Sequence, residues 1–511
     1  MKVLLINAPK TNRVGGGYVS QVVDANIPLA LLQLASVLEK HGHEVKIIDN
    51  IADKDSQIIE KGADYIRYGI PEEILIKRIK EFNPVLVGVS GMFTAQLNDV
   101  LSISKIIKEV NKNLPVVIGG GVANAEEVIK FLEKEKTVDI IVYGEGEYTL
   151  LELVEGYCSG RRKLKDIKGI YYRDKIGKVI KNEKRQWEFH LDNIPFPAYH
   201  LIDMDYYLDL PKKKQIYYRT RDDYRTITLS TSRGCPERCH FCAVFLTMGR
   251  LWRGFSPEYV VEHIKLLVNK YNVEQIHIED DNFSHHVERA REIMELMIKD
   301  KVKVKWDPSS GLRADKIDED LIVKMKKSGC TRVNVAPEVG NQEVLDRIIK
   351  KRMSLNAVVQ VAKWCQKHKL PLQAFFVIGF PGETKRDIQM TIDFAKMLMR
   401  KYDVIVSGAM NATPFYGTEM YKEAKEKGYL IEEVTPDNIS QGMPGFRGFF
   451  RTEEFGPEDL MEFNKKLVRA AYFYSAKRYL KQPGQLIKRF RNPFLIKVAL
   501  ERFLKGAYVS N

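Results

Sequence analysis

Three cysteines fall within eight residues of the run Leu229-Ser-Thr-Ser-Arg-Gly-Cys235-Pro-Glu-Arg-Cys239-His-Phe-Cys242. Thiolates this close must wrap one compact object. A four-cysteine zinc site needs a fourth ligand at comparable spacing, and Cys158, Cys330 and Cys365 are isolated. His240 lies between two of the cysteines and points poorly toward a shared metal. Cys235, Cys239 and Cys242 on an iron–sulfur cluster would leave one iron open, which is what a substrate-binding cluster needs. Six cysteines in 511 residues are too few for a disulfide framework, so the expected compartment is the reducing cytoplasm.

Other polar groups recur where strand-length apolar runs end. Up to residue 155, short Val/Ile runs (Val3–Ile6, Glu44–Asp49, Val85–Ser90, Val116–Gly119, Ile140–Tyr143) alternate with helical patterns over Ala30–His41, Pro71–Glu81, Gln96–Asn111 and Ala125–Glu135. That order predicts a doubly wound, Rossmann-like α/β sheet, whose ligand groups lie past the strands' carboxyl ends. Those places hold a Gly15-Gly16-Gly17 loop, Ser90 with Met92 and Thr94, Gly119-Gly120-Gly121, and Gly144-Glu145-Gly146. None is a Gly-x-Gly-x-x-Gly fingerprint, which disfavours a dinucleotide. Taken singly each glycine is a tight βα turn; taken together they suggest a ligand.

From about residue 225 to 415 strands and helices alternate again in the order of a partial (β/α)6 barrel of the TIM type. The strands are Thr226–Ser230, Gln275–Ile278, Val304–Pro308, Arg332–Ala336, Gln373–Ile378 and Val404–Met410. Active groups of such barrels sit at the strands' carboxyl ends. There the sequence places Glu279-Asp280-Asp281-Asn282, Arg313, Pro337-Glu338-Val339-Gly340, Ile378-Gly379-Phe-Pro-Gly-Glu383 and Thr413–Thr418. Each has a plainer reading, the acids as helix caps and Gly379–Gly382 as a turn. Cys330 and Cys365 are expected to be buried small residues.

The cysteine spacing, followed by apolar Val244-Phe245, resembles the signature of radical S-adenosylmethionine (radical SAM) enzymes. Residues 1–155 resemble the cobalamin-binding domain of one large group of them, on Asn26-Ile-Pro-Leu-Ala, His41-Gly-His-Glu-Val45, Asp49, Val87–Gly91, Gly119–Gly121 and Tyr143–Glu147. The resemblance implies a [4Fe-4S] cluster on the three cysteines, S-adenosylmethionine and cobalamin as cofactors, and an external electron donor. It places cobalamin against Ser90, Met92, Thr94, Gly119–Gly121 and Gly144–Gly146. Asp280 falls where the methionine amino group binds, Glu338 where the ribose binds and Gly379 where the adenine is supported, while Arg313 could reach the carboxylate or the substrate. No Asp-x-His-x-x-Gly motif surrounds any histidine, so a protein imidazole on cobalt is not expected, and His41 and His43 read as solvated turn residues. The implied reaction is methyl transfer from methylcobalamin to an unactivated carbon after hydrogen abstraction by a 5′-deoxyadenosyl radical. The acceptor could be a protein side chain, with glutamine methylation in methyl-coenzyme M reductase as one precedent, or a lipid, tetrapyrrole or small metabolite. The alternative is a cobalamin-dependent radical cyclase or ring-remodelling enzyme, which would share both domains. No single catalytic side chain stands out.

The expected domains are 1–155, a connector 156–222 with crossing prolines, the barrel 223–440, and a basic helical extension 441–511. Charge divides along them. Residues 1–150 carry 17 Lys+Arg against 20 Asp+Glu, and residues 457–511 carry 12 against 4, within a chain total of +14. The tail, with Tyr472, Phe473, Tyr474, Tyr479, Phe490, Phe494 and Phe503 among its basic residues, reads as a lid on the barrel, an anionic-membrane or acidic-protein contact, or a solvated helical cap. Nothing in it is a nucleic-acid recognition motif. No stretch approaches the ~20 apolar residues of a membrane span.

Overall fold

A computed structural model of the chain describes residues 1–13, 26–62, 65–123, 129–130, 133–174, 176–213, 224–439 and 447–480. The Gly15–Gly17 loop, most of the helix expected over 125–135, and Phe490, Phe494 and Phe503 lie outside those residues. Among the described residues no helix is long and apolar enough to cross a membrane.

The first sheet contains β1 (Lys2–Asn7), β3 (Glu44–Asp49), β6 (Leu86–Ser90), β7 (Val116–Gly119) and β8 (Ile140–Val142), running parallel in the order 8-7-6-1-3. Val3, Leu4, Leu5, Leu86, Val87, Val116 and Ile140 are buried to 3% exposure or less, as a parallel sheet covered on both faces requires. The connector is more than a crossing. Its hairpin, β9 (Ile170–Arg173) and β10 (Val179–Lys181), extends this sheet antiparallel beyond β8. A second antiparallel sheet of β2 (Lys10–Arg13), β5 (Tyr65–Gly69) and β4 (Gln57–Lys61) was not expected from the sequence, because these strands are short and polar.

The barrel is two three-stranded arcs. The first is β11 (Thr226–Leu229), β14 (Gln275–Ile278) and β15 (Lys305–Pro308); the second is β16 (Val333–Glu338), β17 (Leu372–Ile378) and β18 (Ala409–Asn411). All neighbours within an arc are parallel. Single bridges Trp306–Cys330 and Leu312–Val335 join the arcs. The sixth strand is shorter than expected, and after the fourth strand a single helical turn, Gln342–Val344, widens into a π turn, Leu345–Ile349. Between β11 and β14 a two-residue ladder, β12 (Ser232–Arg233) with β13 (Arg253–Gly254), closes the base of the cysteine loop.

The tail helix Pro457–Leu480 lies on the barrel, burying Leu460 and Leu467. Asn464 accepts from the Ala409 N–H at 3.2 Å, and Arg478 binds Asp403 at 3.0 Å.

Candidate functional site

The cysteine loop starts where β11 ends, and buried groups fix it. Asp280 is 2% exposed, and both its oxygens are occupied by the Thr231 N–H and by the Thr231 and Ser232 hydroxyls, each of the latter at 2.6 Å. It locks the turn that aims the loop instead of facing a cofactor. Gly234 follows at φ +82°, where a Cβ would stand 2.4 Å from the Leu251 carbonyl, so only glycine lets the loop close on its returning arm. Arg313, expected at the cofactor, is 7% exposed and its guanidinium binds Glu237 at 2.8 Å and Asp315 at 2.9 Å. Glu237 lies between Cys235 and Cys239, so Arg313 also holds the loop. His240 points away from it, to Glu423 at 3.0 Å.

Burial pushes Cys239 up to about 12 and Cys242 up to about 11, and raises Cys235. Neighbouring negative charge adds to this at Cys235 and Cys242, while Lys351 opposes it at Cys239, so cluster iron would be the cation that favours the thiolates. Among the described residues no three His, Cys, Asp or Glu converge on a single-ion site. A [4Fe-4S] cluster would take one of the three thiolates on each of three irons. Asn282 adds an N–H to the Cys235 sulfur at 3.6 Å.

Asp281, one residue past the expected position, is the less buried of the two acids. One oxygen accepts from the Gly234 N–H at 3.2 Å, and burial raises its carboxyl to about 6. Its charge also acts on Cys235 and Cys242, placing it beside the loop. Strand alternation alone could not separate Asp280 from Asp281, because β14 ends at Ile278, before both. Glu338 adopts φ +65°, a costly conformation for a side-chain-bearing residue, and pairs with Lys351 at 2.7 Å. Lys351 carried no sequence signal and arrives from the π turn. Gly379 and Phe380 donate their N–H groups to one oxygen of Glu383, whose fully buried carboxyl is pushed up to about 8 by burial. Glu383 therefore sets the shape of the loop at Gly379.

On the first sheet, Met92 and Phe93 are 56% and 64% exposed past β6, beside Ser90 and Thr94. No atom comes closer than 4.0 Å to a Cβ built on Gly119. An apolar rim next to an open backbone face fits a large flat cofactor such as cobalamin. Gly120 and Gly121 serve a different purpose, since a Cβ there would stand 2.4 Å from the Gly91 carbonyl and 2.0 Å from that of Met92. Gly146 packs on Leu34 and Gly144 on Trp187. His43 is held by Glu155 and the chain's amino terminus, each at 3.3 Å, at the amino end of the sheet. It is therefore less solvated than expected, and far from the strand ends where a cofactor would sit.

Glu145 departs most from its sequence reading. Its carboxylate binds Arg233 at 2.8 Å and Arg253 at 2.6 Å, and it accepts from the Glu188 N–H at 2.9 Å. Arg233 reaches Glu147 as well, at 2.6 Å. These groups are 3–11% exposed. Trp187 fills the same joint under Lys184 and Arg253, 4.1 and 4.9 Å from its ring centroid. The strand ends of the first sheet and the cysteine loop of the barrel are thereby tied to each other.

A model of the B12 binding domain matches residues 17–154, and one of the radical SAM superfamily matches residues 229–395. The chain is 30% identical over 494 residues to cytidylyl-2-hydroxyethylphosphonate methyltransferase of Streptomyces wedmorensis, covering 91% of this chain and 89% of that one. It is also 30% identical to an uncharacterized methyltransferase of Pyrococcus horikoshii, over 99% of each. The cobalamin-dependent S-adenosylmethionine radical enzyme OxsB, solved with aqua-cobalamin, superposes with a TM-score of 0.69 at 18% identity, covering 99% of this chain and 72% of that one.

Proposed function

We propose carbon methyl transfer as the reaction of this chain, which belongs to the cobalamin-dependent radical SAM methyltransferase-like family. Its cofactors are a [4Fe-4S] cluster, S-adenosylmethionine and cobalamin. Together they supply a hydrogen-abstracting radical and a transferable methyl group. The residues position them. Cys235, Cys239 and Cys242 would hold the cluster, Asp281 and Glu338 would face S-adenosylmethionine, and the rim from Ser90 to Thr94 would carry cobalamin.

One observation carries this reading: Arg233, two residues before the first cysteine, is bound to Glu145 and Glu147 at the strand ends of the other domain. A methyl group and a substrate radical must meet in one cavity, and this joint sets the two loops against each other. For the acceptor we favour a peptide or protein side chain such as glutamine, supported by the chain's positive balance, and for the compartment the cytoplasm, where thiols and a cluster stay reduced. An external reductant would feed the cluster. Anaerobic incubation of reduced, reconstituted protein with cobalamin, deuterated-methyl S-adenosylmethionine and cell extract tests it. The label appears on a carbon of the acceptor; deoxyadenosine release with no labelled product would count against methyl transfer.

A further inference from the structure

The turn that follows β14 is anchored residue by residue. Asn282 is 3% exposed, and its backbone carbonyl accepts from the Trp252 indole N–H at 3.0 Å and from the His285 N–H at 3.2 Å. Phe283 is buried against Trp306, with ring centroids 6.0 Å apart. The Ser284 hydroxyl accepts from the Arg313 N–H at 3.2 Å. Trp252, half-buried on the returning arm of the cysteine loop, stacks on His286 with the ring planes 19° apart. The turn is thus held by the barrel wall on one side and by the cysteine loop on the other.

This anchoring aims the Asn282 side chain at Cys235, with Nδ2 3.6 Å from the sulfur. A thiolate can only accept, so the amide must present its N–H groups to the sulfur and turn its oxygen away. Among the described residues no other side chain donates to Cys235, Cys239 or Cys242. Two carboxylates act on the same sulfur in the opposite sense, Glu237 and Asp281. Glu237 is paired with Arg313 at 2.8 Å, and Asp281 accepts from the Gly234 N–H at 3.2 Å. Asn282 is therefore the buried side chain that offsets their charge at the sulfur itself.

Hydrogen bonds to the thiolates help to set the reduction potential of an iron–sulfur cluster, and they are stronger where water is excluded. An added electron increases the negative charge spread over the cluster and its sulfurs. An N–H held against one of those sulfurs therefore favours the reduced form. We propose that Asn282 is a positioning residue for the electron-transfer step, raising the reduction potential of the [4Fe-4S] cluster through the Cys235 sulfur while Trp252 holds it in place. One electron passes from the external donor to the cluster, and the Asn282 amide keeps its hydrogens throughout. The inference requires the cluster and no particular methyl acceptor.

The test is a potentiometric titration of the anaerobic, reconstituted protein, with the reduced cluster followed by electron paramagnetic resonance. Asn282→Leu keeps the size of the side chain and removes the donor. Its iron content and unfolding temperature are expected at wild-type values. At a fixed applied potential its reduced-to-oxidised ratio should fall about tenfold, which is about 59 mV for one electron. A fall of less than about threefold, or a rise, overturns the proposal. Trp252→Phe keeps an aromatic ring without the indole N–H and should shift the potential less, in the same direction. An unchanged potential there overturns the part given to Trp252. A wild-type measurement covers the case in which Asn282→Leu loses its cluster. In protein labelled with heavy nitrogen at the asparagine side-chain amides, pulsed resonance of the reduced cluster should show coupling to the label. Its absence overturns the hydrogen bond, and the proposal with it.

Discussion

Replacing Arg233 with Met removes the only cation that the described residues place on Glu147 and one of two on Glu145. All three side chains are nearly buried, at 11%, 9% and 9% exposure. Deleting one partner of such a pair costs about 3–5 kcal/mol, because the stranded charge stays in a low-dielectric site. Glu145 keeps Arg253 and the Glu188 N–H. The loss therefore falls on Glu147, and the lower end, about 3 kcal/mol, is expected. Arg233→Lys keeps a charge that serves one carboxylate and forgoes one charge-assisted hydrogen bond, a loss of about 1.5–3 kcal/mol. Glu147→Gln combined with Arg233→Met removes the stranded charge, so the double variant should recover at least about 1 kcal/mol against additivity. Hydrogen exchange of the reconstituted protein reads this locally. Amides of residues 145–148 and 233–235 should exchange roughly a hundredfold faster in Arg233→Met. A change below about threefold, or strict additivity with Glu147→Gln, would refute the claim that this joint couples the domains. Burial works to raise the Glu145 carboxyl, but Arg233 and Arg253 outweigh it and hold it below the ordinary range. Its stabilisation is thus complete above the unfolded value of about 4.3 and is lost as pH falls through the lower folded value. The joint should loosen only in acid below about pH 4.

Burial pushes His263 down to about 3, with Tyr199 at 3.0 Å and Phe196 stacked on the ring. The unfolded histidine takes its proton first, so acidification from about pH 6.5 to 5 should cost about 2 kcal/mol. His263→Phe should flatten that part of the denaturation profile, and an unaltered slope would clear His263. Asp280→Asn should lower cluster retention, because the turn it locks loses a charge-assisted bond of about 1.5–3 kcal/mol, whereas Asp281→Asn should keep the cluster and weaken S-adenosylmethionine binding. Iron content and equilibrium dialysis separate the two, and the reverse pattern would return Asp280 to the cofactor. Gly120→Ala combines φ +96° with a Cβ 2.4 Å from the Gly91 carbonyl, so it should destabilise by more than about 1 kcal/mol in thermal unfolding and reduce cobalamin retention. A soluble variant with wild-type values would show that the loop can shift.

Much of the architecture was written in one dimension. A parallel strand buried on both faces must be a short apolar run, and Val3–Ile6, Leu86–Val89 and Val116–Ile118 could hardly be anything else. The three cysteines likewise carry their chemistry in their spacing, because a loop of eight residues brings them together in almost any fold. The antiparallel strands Gln57–Lys61 and Tyr65–Gly69 escaped notice because they lie in a small sheet and lack that unbroken apolar pattern.

The partners of polar side chains were decided only in three dimensions. Asp280, Arg313 and Glu145 were the right residue types at the right strand ends. Yet each spends its charge on another loop: Asp280 on Thr231 and Ser232, Arg313 on Glu237, and Glu145 on Arg233, 88 positions along the chain. A charge finds its partner through space, and pairs so distant in sequence leave no periodicity to read. The same holds for Lys351 beneath Glu338. The sequence alone determined the set of cofactors and the order of the buried parallel strands, because spacing and apolar runs are local. Tertiary structure decided which charges hold the two domains together, because those pairs form through space.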